Sequence, residues 1–333
     1  MKKKIGLAAG VIGALGVGLA LVGFVYVQMT WDRDYSDTPY PALTTSTDPT
    51  VIALGKYLVT GPAHCSNCHV GSYDEFMQAD AGKALPLSGG WTFPIGPLGA
   101  ISTRNLTPDP TTGIGRFEDK ELFRMMRHNV KPDGRASLAP MMPFSRMADD
   151  DLVAVISYLR SLDPVQKEIP GPRWNFLAKM MFALAPPAPF QPIVGHEWPK
   201  KAPPQEPTVE RGEYLANSVA NCLACHSPIS METFEIEGAI YSGSKAPEPT
   251  LTDPSIGVRA PNLTDHPTGR LSKFKTEDAW VARFRAGRII PESFMHWGPF
   301  SRMSEADLIA IYRYLKTVPP VDNDTGPAIV KLD

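Results

Sequence analysis

Cys65-Ser66-Asn67-Cys68-His69 and Cys222-Leu223-Ala224-Cys225-His226 are the two stretches around which this chain is organised. They contain all four of its cysteines, so none is left for a disulfide framework or a free reactive thiol. Each reads Cys-x-x-Cys-His, the spacing of covalent haem attachment. Two thiols add across the two vinyl groups of one porphyrin. A single turn of helix then brings the adjacent histidine beneath the iron. From the Cys and His frequencies of the chain, one such pentapeptide is expected by chance about 0.001 times. A zinc site would need a second cysteine pair roughly 15–20 residues on, whereas these pairs lie 157 residues apart. A thioredoxin-like dithiol would need a βαβ context, and no alternating strand pattern of useful length is present.

Working outward, the same 157-residue offset recurs. Gly55-Lys56-Tyr57-Leu58 returns as Gly212-Glu213-Tyr214-Leu215, Asn105-Leu106-Thr107 as Asn262-Leu263-Thr264, and Phe117 as Phe274. At an offset of 156, Phe144-Ser145-Arg146-Met147 returns as Phe300-Ser301-Arg302-Met303, and the run from Asp151 to Leu159 returns from Asp307 to Leu315. A fixed period of this kind marks a duplicated unit. It predicts tandem domains over 47–165 and 205–320, joined by a proline-rich linker over 166–204 and followed by a tail, 321–333, read as a surface strap or disorder. Within the linker, 174–184 is apolar enough for a short helix, expected to pack between the two domains, with a membrane- or partner-facing patch as the alternative. In each copy, helices are expected just before the pentapeptide, after the Asn-Leu-Thr segment, and at the end. The last has an apolar stripe of Leu152, Val155, Ile156 and Leu159. Ser304 predicts a capped start for its counterpart.

Residues 1–30 read as a membrane anchor. Lys2, Lys3 and Lys4 precede an uncharged stretch, 5–29, long enough for the roughly 20 apolar residues a bilayer crossing needs. The basic residues belong on the cytoplasmic side. The stretch exceeds a signal-peptide core of about 7–15 residues. The expected location is the bacterial inner membrane, single-pass, with the haem domains in the periplasm. The 33 basic and 35 acidic residues give a formal net charge of −2 and no basic stripe, so nothing points to nucleic acid.

For the iron ligands, His69 and His226 follow from the pentapeptides. A sixth ligand is sought among the methionines ahead of each final helix, because methionine opposite histidine is common in electron-transfer haem proteins. Met142 and Met295 are the candidates, with Met141 and His296 as their competitors. Met147 and Met303 read as core residues. His64 precedes the first motif and points away from its iron. His128, His196 and His266 read as surface or hydrogen-bonded residues.

With these motifs the chain resembles bacterial multihaem class I cytochromes c, and most of all the haem subunits of membrane-bound alcohol and gluconate dehydrogenases. The resemblance rests on Gly55-x-Tyr57-Leu58, both pentapeptides, Asn105-Leu106-Thr107-Pro108-Asp109, Met142-Pro143-Phe144, Met295-His296-Trp297-Gly298-Pro299-Phe300 and the two final helices, and it spans both repeats. It implies an all-α fold in which first and last helices cross, Gly55 and Gly212 letting Tyr158 and Tyr314 approach. It implies two covalent haem c groups, bound through Cys65, Cys68, Cys222 and Cys225. Their propionates would lie near Asn105 and Asn262, with Arg104 and Arg259 as partners. The family subunits commonly carry three haem motifs, and this chain carries two. The implied role is one-electron transfer in a respiratory or dehydrogenase chain, with no catalytic residues of its own. Its redox partners would be a dehydrogenase, a quinol-oxidising complex, a soluble cytochrome or a terminal oxidase. The alternative is a diheme peroxidase, which needs an iron with an exchangeable sixth position.

Overall fold

A computed structural model describes residues 2–137, 144–186, 190–230, 235–250 and 252–332, the first ten of these by backbone alone. Helix α1 (Lys2–Thr30) is continuous. Over Ile12–Thr30 it is apolar and long enough to cross a membrane, and of these side chains all but Val27 and Thr30 are exposed, Leu19 by 73% and Met29 by 78%.

The body begins with α2 (Pro49–Thr60), which has Asp48 accepting from the Thr50 N–H and proline at the first position, where a missing donor costs nothing. Next come α3 (Cys65–Cys68), the single turn of the first pentapeptide, and α4 (Tyr73–Asp80), capped by Ser72. A capping box of Glu118 and Glu121 opens α5 (Asp119–His128). Helix α6 (Asp149–Arg160) lacks a capping side chain, because Ala148 stands at the cap position. Three aspartates fill its first turn instead, where negative charge meets the positive end of the helix dipole. Helix α7 (Phe176–Leu184) lies in the connector. In the second copy, α8 (Val209–Tyr214) continues as a π-helical turn, Leu215–Val219, and leads to α9 (Cys222–Cys225). Helices α10 (Glu277–Arg285) and α11 (Trp297–Ser301) follow. The final helix, α12 (Glu305–Leu315), has Ser304 accepting from the Asp307 N–H, as its sequence predicts.

Helix α2 crosses α6, and α8 crosses α12, at matching glycines. A Cβ on Gly55 would fall 1.9 Å from the Ala154 carbonyl oxygen, and one on Gly212 would fall 1.9 Å from that of Ala310. No side chain fits at either crossing. The two copies are also clasped to each other. The Tyr57 hydroxyl donates to Asp307 at 2.6 Å and accepts the Ser304 N–H at 3.1 Å. Its counterpart Tyr214 donates to Asp151 at 2.7 Å and accepts the Ala148 N–H at 3.0 Å. Within the second copy, Arg211 holds the same Asp307 carboxylate with two hydrogen bonds, at 2.8 and 3.1 Å. Buried side chains from both copies form one continuous hydrophobic cluster, which includes Met147 and Met303.

The helical frame matches the all-α expectation, but two small antiparallel sheets accompany it. Strands β1 (Thr92–Pro94), β2 (Gly99–Ser102) and β3 (Arg173–Trp174) pair in that order, with Phe93 opposite Ile101 and Gly99 opposite Trp174. Strands β4 (Glu248–Pro249), β5 (Ile256–Val258) and β6 (Ile329–Lys331) form the other, with Gly257 opposite Val330. Two to four residues are too few to show a period of two. The tail is thus a strap, since β6 adds an edge strand to the second copy. Helix α7 forms where expected but does not sit between the copies. Its Ala178 and Phe182 pack with Trp174 and Phe190 into a separate small cluster, beside the end of α1.

Candidate haem-attachment sites

In each copy the two cysteines lie one helical turn apart, and the histidine that follows is buried. The residue before each turn adopts the left-handed conformation, His64 at φ 42° and Asn221 at φ 57°. That turns the chain sharply into the motif. Nδ1 of His69 lies 2.8 Å from the Arg104 carbonyl oxygen, and Nδ1 of His226 lies 2.9 Å from that of Pro261, the equivalent position. A carbonyl only accepts, so each Nδ1 carries the proton and each Nε2 keeps its lone pair, which is what a metal-ligating imidazole requires. Burial lowers both histidines below the ordinary value and keeps them neutral.

The cysteines behave unlike a redox dithiol. Burial pushes the Cys65 and Cys222 thiols up to about 12, whereas reactive Cys-x-x-Cys thiols are shifted down. Among the described residues, no group of three or more His, Cys, Asp or Glu side chains is placed to hold a metal ion, which speaks against a closed zinc site. The donor set fits a porphyrin: two adjacent thiols on one turn and one imidazole with a free Nε2.

Asn105 and Asn262 act alike. Each side-chain oxygen accepts from the N–H and hydroxyl of the threonine two residues on, Thr107 or Thr264, and each amide donates at 2.8 Å to a carbonyl beyond the final helix, Val165 or Val321. They lock the Asn-Leu-Thr turn that directly follows the histidine-orienting carbonyl. Arg104 donates to the Ile169 and Pro170 carbonyls, and Arg259 to that of Lys245. Met142 and Met141 lie outside the described residues. Met295 is half-buried against the main core.

Several contributors escape a reading of single motifs. Gly89 and Gly243 both have positive φ, and a Cβ on either would fall within 2.6 Å of the backbone where the Asn-Leu-Thr segment begins, at Arg104 and at Asn262. The shared Ser-Gly in Ser88-Gly89 and Ser242-Gly243 was the available signal. Asp80, at the end of α4, is a second contributor. One carboxylate oxygen accepts from Asn67, inside the first pentapeptide, at 3.0 Å, and from the Gly298 N–H of the second copy at 2.9 Å. The other pairs with Arg288 at 2.8 Å, both partners almost fully buried. Arg288 in turn donates to the carbonyls of Ser293 and Met295. The loop carrying Met295 is therefore held from the first copy. Just beside it, the His64 and His296 rings stack at 4.0 Å between centroids, and Nδ1 of His296 is buried without a partner. His64 is thus an inter-copy contact. His128 and His266 are hydrogen-bonded to Ile193 and Thr268.

No family model matches the chain. It is 30% identical over 310 residues to the cytochrome c subunit of a quinone-dependent alcohol dehydrogenase from Gluconacetobacter polyoxogenes, covering 86% of this chain and 59% of that subunit. It is 29% identical over 300 residues to the gluconate 2-dehydrogenase cytochrome c subunit of Pantoea cypripedii, covering 80% and 59%. A diheme c-type cytochrome of Cereibacter sphaeroides is 24% identical over 266 residues, covering 78% and 83%. The chain thus spans about three-fifths of the dehydrogenase subunits it matches. Its paired pentapeptides, its histidines with free Nε2 and these similarities agree, and the chain is a homologue of bacterial c-type cytochromes, those of alcohol and gluconate dehydrogenases among them.

Proposed function

We propose that the chain is a membrane-anchored diheme cytochrome c that transfers electrons one at a time on the periplasmic face of the bacterial inner membrane. Haem c is attached at Cys65 and Cys68 and again at Cys222 and Cys225, in tandem domains over 47–165 and 205–320. His69 and His226 would hold the irons, with Met142 and Met295 as the proposed further ligands. When bound, each group supplies a one-electron ferric–ferrous couple, and an axial methionine raises its potential. The protein's part is to orient each imidazole through the carbonyls of Arg104 and Pro261 and to bury it. Helix α1 holds the body at the bilayer. The electron donor is proposed to be a dehydrogenase of the kind the relatives serve, or a quinol-oxidising complex. A soluble cytochrome or terminal oxidase would accept the electrons.

The observation that carries this reading is the duplicated arrangement of two thiols on one turn with a neutral, carbonyl-oriented histidine beside them. The test is porphyrin that survives acid–acetone extraction of the denatured chain. The full chain should retain two equivalents, and the double substitution Cys222→Ala with Cys225→Ala should retain one. Loss of all colour, or one equivalent in the unaltered chain, would refute the proposal.

A further inference from the structure

Helix α7 has two faces. Ala178 and Phe182 point inward, buried with Trp174 and Phe190, and they fix its rotation. Phe176, Leu177 and Leu184 are 43%, 49% and 63% exposed, and Met180 is half-buried. At about 100° per residue, these four fall within one arc of about 100°. Single exposed apolar residues are ordinary, but a contiguous apolar face marks an interaction site.

The position of α7 names the occupant. Phe24 of α1 stacks on Phe176 with ring centroids 5.3 Å apart and planes 19° apart. Lys179 reaches Gln28 at 3.4 Å and lies over the Trp31 ring. Phe24 stands six residues before the end of α1, or about 9 Å along its axis. That matches the depth of about 5–10 Å at which an interfacial helix buries its apolar face. The exposed surface of α7 continues into that of α1, whose Phe24, Val25, Tyr26 and Met29 are all open. Cations stand at the rim: Lys179, the exposed Arg173, and Arg33, which donates to the Ala183 carbonyl. Aromatic and basic residues around an apolar face are the composition of a membrane–water boundary.

We propose that α7 lies in the outer boundary of the same bilayer that α1 crosses, with Phe176, Leu177, Met180 and Leu184 among the acyl chains. This rests on α1 being a bilayer anchor. The body then touches the membrane at two points and holds one orientation, where a lone α1 would leave it free to turn.

The test uses the full chain in vesicles of phosphatidylethanolamine and phosphatidylglycerol. Nitroxide labels are placed through Leu19→Cys in α1, Leu177→Cys and Leu184→Cys in α7, and Glu210→Cys on the aqueous surface. Accessibility is read by electron paramagnetic resonance with oxygen, which partitions into lipid, and with a water-soluble nickel chelate. Labels at 177 and 184 should favour oxygen over the chelate several-fold, as at 19 and opposite to 210. Chelate access at 177 and 184 equal to that at 210, with 19 still lipid-exposed, overturns the proposal and leaves the anchor intact. Low access to both reagents would mean that protein covers the face, which also overturns it. Chelate access at 19 would refute the anchor itself and this inference with it.

Discussion

Asp151 shows how the clasp between the copies shapes pH behaviour. Burial holds its carboxyl up at about 6, above the ordinary 3.8, although the Tyr214 hydroxyl and Arg211 both oppose the rise. The folded chain therefore keeps a proton that the unfolded chain releases. Between about pH 4 and 6 the folded state loses stability as pH rises, and above 6 the loss is complete, at most about 3 kcal/mol. Asp151→Asn keeps an acceptor for Tyr214 and removes the charge. Denaturant unfolding should find this variant more stable relative to the parent at pH 7 than at pH 4; an equal difference at both would count against the shift. At this scale each pentapeptide is a local signature, whereas Gly55 and Gly212 were legible only through the family resemblance, since the carbonyls they approach, those of Ala154 and Ala310, lie about a hundred residues on. The sequence was silent for Tyr57, seen as part of a repeated motif, because the carboxylate it meets lies 250 residues away.

At the scale of elements, α2, α5, α6 and α12 were legible because apolar spacing and caps are written within a dozen residues. The short strands were not, and α7 was placed wrongly because its inner face is set by Trp174, Phe190 and the edge of β2. The loop from Arg288 to Gly298 also escaped reading, since its anchor, Asp80, belongs to α4 of the other copy. Breaking a buried ion pair by removing one partner costs about 3–5 kcal/mol. Asp80→Ala should lose that order of stability. If Met295 is the iron ligand, it should also weaken the red-end absorbance band of Met–iron bonding at one haem and lower one potential, leaving the other unchanged. Asp80→Asn, which can still accept from the Gly298 N–H, should restore part of both. Two unaltered potentials in Asp80→Ala would show that Asp80 does not position the loop.

At the scale of the whole molecule, the 157-residue repeat announced two copies but not their mutual placement. The structure supplies a reciprocal arrangement. Tyr57 reaches Asp307 as Tyr214 reaches Asp151, and Ser304 and Ala148 close the two clasps through their N–H groups. This is the self-complementary pattern of an isologous interface, built here within one polypeptide. A surface that satisfies its partner in duplicate leaves no periodic trace in either copy.

That exchange of partners bears on how the body comes apart. Were one half to melt while the other stood, the survivor would expose a tyrosine hydroxyl and a carboxylate that had been satisfied away from water, along with the shared apolar cluster. Differential scanning calorimetry of the full chain should therefore record one cooperative endotherm, with the enthalpy of a single unit the size of both halves. Two well-separated peaks would mean that the halves hold themselves up independently.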